Sequence, residues 1–91
     1  MLKSNNNLLE NFNKACKIVK VLPKRPSDDD LLYLYGRYKQ ATIGDINQPK
    51  PSGLFNIKEK KKWDAWYMNK TKSKNLSMNE YIDKVNLLCK K

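Results

Sequence analysis

Four prolines and two of the three glycines divide this chain before any other feature acts on it. Upstream of Pro23, the apolar residues Leu8, Leu9, Phe12, Ala15, Cys16, Val19 and Leu22 recur at helical spacing, which predicts an amphipathic helix. Pro23 and Pro26 end it, because proline lacks the amide donor and its ring obstructs the preceding turn. Ser27 is placed to cap a second helix. Asp28, Asp29 and Asp30 fill its first turn, where negative charge meets the positive end of the helix dipole. That helix runs through Leu31, Leu34, Tyr35, Tyr38 and Ala41 to a stop at Gly44.

Residues 44–57 carry Gly44, Pro49, Pro51 and Gly53 and read as a long loop, of a length that points to function. Asp45 is expected to cap or turn it after Gly44. A third, short helix carries Trp63, Ala65 and Trp66, residues 69–73 read as a polar turn, and Ser73 caps a fourth helix bearing Met78, Tyr81, Ile82, Val85 and Leu88. No stretch alternates with period two, so no strand is expected. The chain is therefore all-α: four helices with a long overhand loop between helices 2 and 3.

A length of 91 residues fits one small domain, expected to span residues 1–91. It is too short for a dinucleotide-binding domain with a second domain, or for an α/β barrel. Without histidine there is no imidazole base, proton shuttle or ligand. Two cysteines make neither a four-thiolate zinc site nor a disulfide framework, and both are expected to be free thiols. No metal or cofactor motif, phosphate-binding glycine loop, nucleophile turn or internal repeat is present, so an enzyme is not expected. No apolar run approaches the length needed to span a bilayer. The opening, Met1-Leu2-Lys3-Ser4, is too polar for a secretory signal, and a cytoplasmic setting is expected.

Lysines and arginines number 19 against 9 acidic residues, a net charge of +10. That points to an anionic partner: nucleic acid, an anionic membrane surface or a phosphate-rich small molecule. Tyr35, Tyr38, Lys39 and Thr42 share one face of the second helix. The tyrosines alone suit a core, but a lysine on the same stripe suits a site that stacks a flat ring and neutralises a phosphate. The run Lys58-Glu59-Lys60-Lys61-Lys62 is mostly a solvated face, with one or two lysines free to meet an anion. Trp63, Trp66 and Tyr81 are expected in the core.

Three segments carry a family resemblance. Residues 38–47, from Tyr38-Lys39-Gln40-Ala41-Thr42 to Gly44-Asp45-Ile46-Asn47, are very similar to the signature of the acyl-CoA-binding protein family. Lys62-Trp63-Asp64-Ala65-Trp66 is similar to its second signature, and Tyr81-Ile82-Asp83-Lys84-Val85 to its third. Their separations fit apart from about one extra residue before Lys58, and Phe12, Ala15, Val19, Leu22 and Pro26 suit the family's first helix and turn.

The resemblance implies an up-down-down-up four-helix bundle, and binding rather than catalysis. The implied ligand is a long-chain fatty acyl-CoA, held and carried in the cytoplasm by a monomer between enzymes of fatty acid metabolism, with transient contact to those enzymes or to anionic membranes. The implied contacts are Tyr35, Lys39 and Lys62 with the ribose 3'-phosphate, Tyr38 near adenine, Tyr81 from helix 4 and Lys20 near the phosphates. Ala15 and Cys16 would line the adenine side, with Cys16 standing where the family usually has Ala, and Leu31 and Leu32 would floor the acyl groove. The alternative is a small basic helical domain that binds nucleic acid or a membrane surface. Its basic residues are spread over all four helices and match no nucleic-acid motif.

Overall fold

The computed structural model describes residues 5–54 and 56–91. Among them are four helices and no strand: α1 (Asn5–Val19), α2 (Asp28–Thr42), α3 (Ile57–Tyr67) and α4 (Lys74–Cys89). The polar opening read against a secretory signal, Met1 to Ser4, lies outside the described residues.

The helix ends follow local chemistry. α1 stops at Val19 rather than at Leu22. The Pro23 ring would meet the carbonyl four residues back, which belongs to Val19. The chain leaves α1 through a tightened turn, with the Lys20 amide donating to the Lys17 carbonyl (3.2 Å) and the Val21 amide to Ile18 (3.0 Å). Ser27 caps α2, its Oγ accepting from the Asp30 amide at 3.1 Å. Gly44 closes the other end at φ +101°, a conformation that favours glycine, and its amide reaches the Lys39 carbonyl. Ser73 caps α4 by accepting from the Leu76 amide at 3.0 Å. α3 starts at Ile57, so the lysine run is helical and the helix is longer than the expectation centred on Trp63.

Cross-helix partners set the directions. Lys62 meets Tyr35, and one turn further along both helices Trp66 meets Lys39, so α2 and α3 run parallel. Phe12 meets Tyr81, and further on Leu22 and Leu88 line one groove, so α1 and α4 are also parallel. Asp30 pairs with Lys84 (2.7 Å) and Arg37 with Glu80 (3.1 Å), so α2 and α4 are antiparallel. The bundle is up-down-down-up. α4 packs on α1 and α2, and α2 packs on α3. Among the described residues α1 and α2 make no close backbone contact, which leaves a cleft bridged by side chains. The core lies along α4, where Val85, Tyr81 and Leu88 bury Phe12, Ala15 and Leu34.

Parallel neighbours require a long return, and residues 43–56 supply it. Two indoles hold that loop. Trp66 Nε1 donates to the Gly44 carbonyl and Trp63 Nε1 to the Gln48 carbonyl, both at 2.8 Å. Asp45 does more than turn the chain. Its carboxylate accepts from Gln40 Nε2 (2.8 Å) and from the Thr71 amide (2.7 Å), tying the loop to the α3–α4 turn. Those two donors hold the Asp45 carboxyl below its ordinary range.

Candidate functional site

The cleft between α1 and α2 is floored by three rings from three helices. Phe12 is on α1, Tyr38 on α2 and Tyr81 on α4. Phe12 stacks on Tyr38 with centroids 5.9 Å apart and meets Tyr81 edge-on at 5.1 Å; Tyr38 and Tyr81 lie 6.4 Å apart. Such offset and edge arrangements are the favoured ones for aromatic pairs. Phe12 and Tyr81 are buried, whereas Tyr38 is 43% exposed, so the platform presents one open ring. The Tyr81 hydroxyl is pushed well above its ordinary pKa, first by burial and then by the Cys16 thiol beside it. Burial likewise raises Cys16, against the opposing pull of its hydrogen bond to Tyr81 and of the Lys20 charge. Both cysteines are free thiols.

Two ammonium groups stand at the seam between α2 and α3. Lys62 Nζ lies 5.0 Å from the centre of the Tyr35 ring, and Lys39 Nζ lies 5.0 Å from that of Trp66. Both are cation–π distances. Lys39 has no carboxylate within 4.0 Å among the described residues, and Lys62 has only Glu59 at 3.9 Å. An ammonium carries three donors, so each lysine keeps donors for an incoming anion. Burial, then the nearby Glu59 charge, raises the Tyr35 pKa, so its hydroxyl stays protonated and available as a donor.

Gly36 sets this spacing. A Cβ at that position would lie 2.8 Å from both the Ala65 carbonyl carbon and Asn69 Nδ2 and would collide with the Ala65 carbonyl oxygen. Without a side chain there, α2 and α3 approach closely enough for Lys39 and Lys62 to share one flank of the seam.

The structure thus brings Tyr35, Lys39 and Lys62 to the α2–α3 seam, while Tyr38 and Tyr81 belong to the ring platform with Phe12. Leu31, half-buried, lies one turn before Tyr35 on the same face. Lys20 sits in the exposed turn after α1, close enough to act on Cys16, and so stands at the rim. Leu32 is placed differently. It lines a cavity of about 410 Å³ between α2 and α3 with Tyr33, Arg37, Lys61, Ala65 and Met68. Lys61 and Met68 project from the other side of α3 from Lys62 and Trp66.

Two contributors were hidden in the sequence. Phe12 counted there as a first-helix apolar residue, yet it is the third ring of the platform. Trp66 counted as core, and at 2% exposure it is, but it also carries the Lys39 ammonium on its face. Its place four residues after Lys62, on the same helical face, was the available signal. Among the described residues no cluster of three or more Cys, Asp or Glu side chains is gathered to hold a metal, and no helix is long and apolar enough to cross a membrane.

Comparison with known proteins agrees with this fold. The family model for acyl-CoA-binding protein matches residues 9–85. The chain is 52% identical, over 81 residues, to the acyl-CoA-binding protein of Gossypium hirsutum, covering 89% of this chain and 90% of that one. It superposes on the crystal structure of acyl-CoA-binding protein 2 of Oryza sativa with a TM-score of 0.88 and 43% identity, over 94% of this chain and 92% of the other. On the acyl-CoA-binding protein structure from Moniliophthora perniciosa the TM-score is 0.83, with 40% identity over 90% and 80% of the two chains. With the fold, the signatures and these likenesses in agreement, the chain belongs to the acyl-CoA-binding protein family.

Proposed function

We propose that this chain binds long-chain fatty acyl-CoA thioesters as a non-catalytic, monomeric cytoplasmic carrier. It holds a protected pool of the thioester and hands it to the enzymes that use it. The observation that carries this reading is the pair of lysines, Lys39 and Lys62, whose ammonium groups lie over aromatic rings of each other's neighbouring helix at the α2–α3 seam and keep donors for an anion.

In this reading Lys39 and Lys62 grip the ribose 3'-phosphate from two sides, with charge-assisted hydrogen bonds, and Tyr35 adds its hydroxyl. Tyr38 offers its open face to the adenine, backed by Phe12 and Tyr81. Lys20, at the rim, meets the remaining phosphates. Leu31 takes the acyl chain where it leaves the head group, whereas Leu32, in the separate cavity with Lys61 and Met68, lies apart from that path. In this reading the complex stores the thioester rather than cleaving it.

Magnitudes say that both ends of the ligand are needed. A palmitoyl chain has about 14 methylenes, and at roughly 0.8 kcal/mol each their full burial contributes up to about 11 kcal/mol. Ordering the ligand offsets several kcal/mol of that. A nanomolar constant needs about 12 kcal/mol, so the phosphate grip must supply the rest.

Calorimetric titration tests the reading. Palmitoyl-CoA is expected to bind far more tightly than octanoyl-CoA, and both free coenzyme A and free palmitate are expected to bind weakly. Equal constants for the two thioesters would remove the acyl groove from the mechanism, and no heat with either would end the proposal.

A further inference from the structure

The two lysines of the α2–α3 seam are not equivalent. Lys39 has no carboxylate within 4.0 Å among the described residues, whereas Lys62 has Glu59, whose Oε2 lies 3.9 Å from its ammonium. Glu59 is the single negative charge in the run Lys58-Glu59-Lys60-Lys61-Lys62. It stands three residues before Lys62, so the two side chains share a face of α3. The other carboxylate of that helix is turned elsewhere. Asp64 pairs with Lys50 at 3.0 Å and lines the cavity on the far flank of α3 with Lys61.

The reach of Glu59 extends across the seam. Lys62 lies over the Tyr35 ring; burial first, and then the Glu59 charge, holds the Tyr35 hydroxyl above its ordinary pKa. A carboxylate therefore faces two groups, the Lys62 ammonium and the Tyr35 hydroxyl, that offer donors to a phosphate in the proposed complex. The first turn of α3 has a use for an acidic side chain, which meets the positive end of the helix dipole there. Any position of that turn would serve the dipole. The dipole does not call for the charge to stand on the seam.

We propose that Glu59 sets the strength with which the ribose 3'-phosphate is held. Its carboxylate engages Lys62 while the site is empty and repels the phosphate that takes its place, so the grip stays below what two unopposed lysines would give. The inference rests on the reading of Lys39 and Lys62 as the phosphate grip. Both partners are partly open to water, Lys62 at 34% and Glu59 at 57%, so solvent screens the repulsion. Interactions of that kind change an equilibrium by up to about fivefold. For a carrier the sign matters: a weaker hold on the head group eases handover and leaves the apolar part of the site untouched.

The test is competition calorimetry of the full chain with two thioesters, palmitoyl-CoA and palmitoyl-dephospho-CoA, the second of which lacks the 3'-phosphate. Glu59→Gln is expected to bind palmitoyl-CoA about two- to fivefold more tightly than the wild type. The gain is expected to vanish with the dephospho thioester and to fade for palmitoyl-CoA as salt is raised. Glu10→Gln makes the same change in net charge on the side of α1 away from Phe12, and is expected to bind both thioesters as the wild type does. The urea midpoint of Glu59→Gln is expected to be no higher than that of the wild type, since a first-turn charge is lost, so a firmer fold would not account for tighter binding. Unchanged or weaker binding of palmitoyl-CoA by Glu59→Gln, or an equal gain with the dephospho thioester or in Glu10→Gln, would overturn the proposal. The wild type reports separately on the acyl-CoA reading. If it binds palmitoyl-CoA and Glu59→Gln shows no gain, this inference alone falls; if it binds neither thioester, the acyl-CoA reading falls.

Discussion

The Lys62 ammonium lies 5.0 Å from the centre of the Tyr35 ring, joining α3 to α2 by a cation–π contact, while its carboxylate neighbour, Glu59 at 3.9 Å, is on its own helix. The contact with the ring orients the lysine without neutralising it. A carboxylate in the place of that ring would hold Lys62 as firmly but would compete with any phosphate for the same donors. The same holds for Lys39 over Trp66.

Replacing either lysine by alanine therefore separates affinity from stability. Lys39→Ala and Lys62→Ala are each expected to weaken palmitoyl-CoA binding by about 1.5–3 kcal/mol, the range for a hydrogen bond to a charged group. Tyr35→Phe, which removes only a hydroxyl, is expected to lose about 1 kcal/mol. Calorimetry reads the affinities. The urea midpoint of all three variants is expected to stay near that of the wild type, because no ion pair of the core is removed. An unchanged binding constant for Lys39→Ala would take that residue out of the site.

Gly36→Ala has opposite expectations from local and tertiary effects. On helix propensity alone it would gain up to about 1 kcal/mol. Against that, the new methyl collides with the Ala65 carbonyl. Backbone cannot move aside as a flexible side chain can, and overpacking of this kind typically costs about 1–3 kcal/mol. The collision wins. The expected result is a lower urea midpoint together with weaker acyl-CoA binding, as α3 is pushed away from α2 and Lys62 with it. A more stable Gly36→Ala protein would show that the seam is looser than described.

Trp66→Phe removes the indole donor and leaves the Gly44 carbonyl without its 2.8 Å partner. An unsatisfied buried acceptor costs about 1–3 kcal/mol, and the smaller ring adds a void. The local consequence is release of one end of the overhand loop. Faster amide exchange over residues 44–50, with exchange in α4 much less affected, is the expected signature. Uniform exchange rates throughout would mean that the other loop contacts suffice.

Acid should destabilise the fold. The Lys84 ammonium holds the Asp30 carboxyl below its ordinary range, and Gln40 and the Thr71 amide do the same for Asp45. For Glu80 burial acts upward, but Lys72 and Arg37 outweigh it and the net shift is downward. A carboxyl lowered in the folded state binds protons less readily there than in the unfolded chain, whose carboxyls titrate near about 4. Their contribution is complete above that value and is lost as pH falls through the lowered folded values. The urea midpoint is expected to be level between about pH 7 and 5 and to fall below about pH 4. Asp45→Asn should make the acid limb shallower; an identical limb would assign the pH dependence to other groups.

Read as a sequence, the chain already determined its helices and where several of them end. Ser27 and Ser73 do cap α2 and α4, Gly44 does take a positive φ, and the proline- and glycine-rich segment is the long connection. These signals are local: a cap, a fixed proline φ or an apolar period acts within a few residues and is written there. The face that places Tyr35, Tyr38 and Lys39 together was legible for the same reason.

What those residues meet was settled by the packing of the helices. The close approach of α2 and α3 at Gly36, the two indoles that hold the loop, Phe12 as the third ring and the separation of Leu32 from Leu31 all depend on how one helix crosses another. Contacts between residues distant in the chain are fixed by the fit of whole helix surfaces. No spacing within a single helix encodes that fit.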